Sequence, residues 1–127
     1  MTMRRYKVQV TTASDGSATA YSPQVAGKLC SVVYVPDGTT PFANTVDMTI
    51  TAEATGEALL SRTNVAAGFA AYPRAATSAP DGTASLFAAG GTAVQDKLAL
   101  AQERIKIVLA QGGDTKTGAL HFLIDNC

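Results

Sequence analysis

Tryptophan is missing from this sequence and histidine occurs once, at His121. A Ser-His-Asp triad would have to be built on that one imidazole, and no G-x-S-x-G elbow exists to present a serine to it. Set between Leu120 and Phe122, His121 reads as an ordinary strand residue. The two cysteines, Cys30 and Cys127, lie far apart and form neither a disulfide framework nor a C-x-x-C metal site. Cys30 sits in an apolar strand and is expected as a small core residue, with Cys127 as a free terminal thiol. Charged residues make up only 16% of the 127 residues, ten basic against ten acidic, below the roughly 25% usual in soluble domains. Nucleic-acid binding normally needs a basic face, and only Arg4, Arg5 and Lys7 cluster. No apolar run approaches the ~20 residues of a membrane-spanning helix. The opening residues lack the apolar stretch of a signal peptide, so synthesis in a cytoplasm is expected.

The remaining chemistry-bearing residues are equally sparse. Asp37, Asp81 and Asp114 fall in turn sequences, where an aspartate bonds its own backbone. Glu53 and Glu57 flank a Thr-Gly turn and are expected on one hairpin, not across a cleft as a glycosidase pair would be. Gly90-Gly91 and Gly112-Gly113 neither precede Lys-Ser/Thr at phosphate-loop spacing nor open a helix. The reading is therefore of a chain with no catalytic site, no metal and no cofactor.

What is present is alternation. Tyr6, Val8 and Val10 alternate with Arg5, Lys7 and Gln9, the period of a half-buried strand. Ser14–Ser17 supplies a turn, and Ala18–Ser22 is expected as the return strand. Leu29–Val35 is apolar on both faces, which suits a central strand covered on both sides. Val46, Met48, Ile50 and Ala52 form another half-buried strand, with 57–62 pairing back. Residues 64–72 carry no clear pattern. Residues 94–101 favour strand, as do Ile105–Leu109, and Leu120, Phe122 and Ile124 give the last strand its apolar face. Six to nine strands without a long helix predict an all-β fold, an antiparallel β-sandwich or barrel-like (jelly-roll-like) domain spanning 1–127. An N-terminal arm over 1–5 and a long surface loop over 74–91, carrying at most a short hairpin at 85–88, complete the expected layout. The turns at Asp15–Ala18 and Asp81–Ala84 look alike and are read as shared turn chemistry, not as a repeat.

Tyr72-Pro73-Arg74 opens the long loop, and Tyr and Arg are residues that often anchor interfaces. With the basic start of the chain, this makes Arg4, Arg5, Tyr6, Tyr72, Pro73 and Arg74 the candidate interface residues. The block Asp47-Met-Thr-Ile-Thr-Ala-Glu-Ala-Thr-Gly-Glu-Ala-Leu-Leu, then Thr63-Asn-Val with Tyr72-Pro-Arg, resembles small structural proteins of tailed bacteriophages. The run from Asp96 through Gln111-Gly-Gly-Asp to Leu120 is similar in the same way. The resemblance covers about residues 46–120 and implies a non-enzymatic virion component, made in the host cytoplasm. The expectation is a decoration (cement) protein on the outer capsid, partnered by the major capsid protein and assembled as a homo-oligomer, by preference a trimer. A head–tail connector or tail component is the alternative. A carbohydrate-binding β-sandwich is a further one, disfavoured because sugar sites stack on exposed aromatics and the chain has eight aromatics in all.

Overall fold

A computed structural model describes residues 3–125; the cysteine expected as a free thiol at 127 lies outside them. Eleven strands form among these residues, in two principal antiparallel sheets that pack face to face with a curled, barrel-like outline. The all-β sandwich expected from the sequence is the fold.

The first sheet is built on two long strands, β3 (Val25–Pro36) and β11 (Thr117–Asp125). β1 (Met3–Thr11) pairs with the free side of β11, while β6 (Phe69–Ala71) and β9 (Leu98–Glu103) share the other side of β3. The second sheet has the order β2 (Ala18–Tyr21), β10 (Ile105–Ala110), β4 (Asp47–Ala52), β5 (Ala58–Arg62). A small ribbon, β7 (Ala75–Ala76) with β8 (Gln95–Asp96), stands apart. β4 and β5 pair as expected. β2 does not return along β1: it crosses to the second sheet and pairs with β10, Ala20 opposite Ile107. The same change of sheet occurs between β9 and β10, where only Arg104 separates the strands and Gln102 adopts φ 50°.

Alternation places Val8, Val10, Met48, Ile50, Ile105, Ile107, Leu109, Leu120, Phe122 and Ile124 in one core between the sheets. Over it Tyr34 stacks on Phe42, with centroids 5.7 Å apart, and tilts against Phe69. Gly118 is what lets these rings sit so close. A Cβ there would lie 2.7 Å from the Phe42 ring and 2.9 Å from that of Tyr34.

Cys30 is not the core residue expected. The register of β3 on β11 shifts between Leu123↔Ser31 and Ile124↔Leu29, leaving Cys30 as the extra residue of a β-bulge. The bulge resets the inward alternation, so Leu29 and Val32 both reach the core while Cys30 stays half-buried outside it.

The two similar turns are indeed one turn used twice. Gly16 and Gly82 take φ 85° and 90°. Asp15 accepts the Ser17 N–H at 3.0 Å, and Asp81 accepts that of Thr83 at 2.9 Å. Asp37 likewise accepts the N–H groups of Thr39 and Thr40. Asp114 departs from the pattern, taking only the Thr115 hydroxyl at 2.7 Å.

Ile107 is fully buried at the centre of the second sheet. Ile107→Ala should therefore cost about 2–5 kcal/mol of stability in urea denaturation. Gly118→Ala should also destabilise, because neither packed ring has space to retreat, and a melting temperature unchanged by it would refute that account.

Candidate interaction surface

β3 is apolar on both faces, and among the described residues one face is fully covered while the other is buried only at its Ser31 end, where Ser31 is 4% exposed. Its inward residues Leu29, Val32 and Tyr34 are buried, whereas Val33 is half-buried and Val35 is 46% exposed. The cover expected on both faces is therefore complete on one and partial on the other.

The register lays out the open face in three rows. Val35, Ala119 and Gln9 form one; Ala70, Val33, His121 and Lys7 form the next; Ser31, Leu123 and Arg5 form the third. The surface thus runs from apolar over β3 and β11 to cationic along β1. A shallow depression of about 130 Å³ opens in it, lined by Arg5, Val33, Val35, His121 and Leu123. The His121 Nδ1 is buried and has no hydrogen-bond partner among the described residues. Burial holds the imidazole below its usual pKa, reinforced by the positive charges of Arg5 and Lys7. His121 is therefore mainly neutral at pH 7.

Arg4, Arg5 and Tyr6 do not belong to an arm. From Met3 onward the chain is strand, paired with β11. Arg5 faces the open surface beside Leu123, while Tyr6 packs partly against the core. The other triplet lies at the opposite margin of the same sheet, just beyond β6. Tyr72 is 65% exposed and available to a partner. Arg74 is already engaged: its Nη1 donates to the Cys30 carbonyl at 3.0 Å and to the Pro73 carbonyl at 2.7 Å. Arg74 thereby ties the start of the excursion to the bulge in β3. Two strands separate β1 from β6, so the two triplets flank one face without touching.

The excursion is more regular than a loop. Three backbone segments close a ring: Thr77 N–H donates to the Val94 carbonyl, Val94 N–H to that of Ser85, and Ser85 N–H to that of Thr77. The lengths are 2.8, 2.9 and 3.0 Å. Residues 85–88, expected as a hairpin, form the middle leg of this ring, with turns at 79–82 and 88–91 on either side. From the middle leg Leu86 and Phe87 project to solvent, 41% and 76% exposed. Sequence reasoning passed over both. The signal was there, since Leu-Phe is the one bulky apolar pair in a tract of Ala, Ser, Thr and Gly.

No three His, Cys, Asp or Glu side chains converge as metal ligands among the described residues. Glu53 is held by Arg104, whose Nε donates to it at 2.8 Å and whose Nη2 donates to its second oxygen, and the guanidinium lies over the Tyr21 ring. That hydrogen bonding lowers the Glu53 pKa, with the guanidinium charge adding to it. The described residues contain no helix long and apolar enough to cross a membrane.

No protein-family model and no curated protein matches the chain. Among solved structures, one described as the crystal structure of FLHE aligns over 98% of both chains with 10% identity and a TM-score of 0.44. A likeness at that level carries no argument about this chain.

His121 predicts a pH dependence. Its folded pKa lies below the ordinary 6.5, so the unfolded chain takes up the proton first as pH falls. Stability should decline as pH drops through about 6.5 and level off below the folded value. In urea denaturation between pH 7.5 and 5.5, His121→Gln should remove that part of the slope, and an unaltered slope would show that the imidazole does not cause it.

Proposed function

We propose that this chain is a non-enzymatic structural component of a tailed-phage virion, a decoration protein held on the outer capsid by the major capsid protein. The observation that carries the interaction part of this reading is the open apolar face of the five-stranded sheet. A chain that exposes Val35 and half-exposes Val33 and Leu123 on one face, beside an ordered protrusion tipped by Phe87, presents surfaces that association would bury. The virion part rests on the sequence resemblance over residues 46–120.

The physical logic suits such a role. A capsid shell strained by packaged DNA gains strength when small rigid modules bridge neighbouring capsomers. Each copy needs only a standard interface, roughly 1,200–2,000 Å², because many act together. A trimer supplies three such footholds at once, so the effective concentration of the second and third contacts is high. Zero formal net charge suits an exterior position better than contact with DNA. Tyr72, Phe87 and the Val33–Val35 rows are the residues that meet the capsid.

Quantitative mass spectrometry of purified virions tests the location. A ratio near one copy per major capsid subunit is expected. Six to a few dozen copies per particle would move the protein to the connector or tail, and its absence would end the virion reading. The double variant Tyr72→Ala, Phe87→Ser should lose at least roughly tenfold in affinity for capsids, the scale of two interface anchors. Its melting temperature should stay that of the parent, because both side chains project into solvent.

A further inference from the structure

We infer that the free edge of β1 is a strand-addition site for an extended, acidic segment of a partner protein. β1 is nine residues long and pairs on one side only, with β11. No other backbone bond reaches residues 3–11 among the described residues. The parity of the ladder identifies which groups are left over. Thr12 N–H donates to the Lys116 carbonyl at 2.8 Å, in the same register that pairs Val10 with Gly118 and Tyr6 with Phe122. Arg4, Tyr6, Val8 and Val10 therefore turn their N–H and C=O groups toward β11. Those of Arg5, Lys7 and Gln9 face outward, because successive residues of an antiparallel strand alternate in bonding direction.

An open edge of this length is a template for another strand. The other outer strands of the two large sheets are shorter: β2 has four residues, β5 five, β6 three and β9 six. Charge selects the occupant. β1 carries Arg4, Arg5 and Lys7 and no acid. Arg5 and Lys7 lie on the outer face, and Arg4 lines a depression of about 400 Å³ on the other side with Tyr6, Gln24 and Gln102. A strand laid along this edge meets cations on both its faces, so carboxylates at both alternations are favoured. The nearest acid across the ladder, Asp125, is already held by Lys97 at 3.3 Å.

A second copy of this chain does not fit as well. Pairing two β1 edges would gather six cations on one seam. β2, β5 and β6 contain no acid, and Glu103, the sole acid of β9, accepts the Ala54 N–H. Charged residues on an edge normally discourage pairing with like edges, and here the same charges select an unlike one. The inference concerns the edge itself and holds whether or not the chain is a virion component.

The probe is a ten-residue peptide of repeated Glu-Glu-Val-Val, which carries carboxylates on both faces of the strand, compared with its Lys-Lys-Val-Val counterpart and with a dT10 oligonucleotide. Binding to the purified chain is followed by NMR hydrogen exchange and by titration. The Glu peptide should bind and slow exchange at the amides of Arg5, Lys7 and Gln9, while those of Tyr6 and Val8 are protected already in the free protein. Arg5→Glu with Lys7→Glu should weaken it by at least roughly tenfold and admit the Lys peptide instead. Gln9→Pro removes no charge and no bond to β11, since its N–H points outward, so the sheet should stand while strand addition is blocked. Equal binding by Gln9→Pro, or binding without protection at the three amides, would reduce the site to charge attraction and overturn the inference. Failure of the Glu peptide to bind, or preference for dT10, would overturn it as well.

Discussion

The antiparallel seam between β3 and β11 is the contact on which the rest of the molecule depends. Every other strand of the five-stranded sheet is bonded to one of these two. Their inward residues, Leu29, Val32, Tyr34, Leu120, Phe122 and Ile124, supply that sheet's central contribution to the core. Two local devices make the seam work. Gly118 clears the space beneath the Tyr34–Phe42 stack, and the bulge at Cys30 resets the alternation so that both ends of β3 point their large side chains inward. Arg74 then satisfies the Cys30 carbonyl and in doing so fixes where the excursion leaves the sheet. A surface feature is thus positioned by a correction to the core.

The second sheet closes the core because two stretches of chain change sheets. β1 passes to β2 and β9 passes to β10 at tight corners. At the first corner Thr12 ties two turns together, its hydroxyl donating to the Gly113 carbonyl at 2.6 Å and accepting the Lys116 N–H at 2.8 Å. Among the described residues such sheet-switching corners leave the outer edge of β1 without a partner strand and much of the outer face of β3 and β11 without a layer above it. An open apolar face costs about 25 cal/mol for each Å² of apolar surface left in water, a cost that association removes.

Much of the fold was legible from short-range pattern. The inward sets of β4, β10 and β11 follow from strict alternation, and the turns at Asp15, Asp37 and Asp81 follow from Asx chemistry that needs only two or three residues. The exposure of Tyr72 was not legible in this way, since a tyrosine before Pro73 packs on a core or points to solvent according to what the rest of the fold brings over it. Less was legible of the candidate surface. Arg4 and Arg5 resembled a free basic arm because nothing local reveals that β11, more than a hundred residues later, pairs with them.

The sequence by itself determined that this chain is an all-β domain with a strong inward alternation. These properties reside in residue order over two to ten positions, where the pleat and the turn types act. Tertiary structure alone decided which strands are neighbours, which residue of β3 is the bulge, and which apolar face is left open. Those depend on register between segments distant in sequence, and a one-residue shift in register exchanges the faces of a strand. Val33 and Val35 carry the same side chains whether buried or bare, and only the arrangement of the other strands decides how much of each stays in solvent.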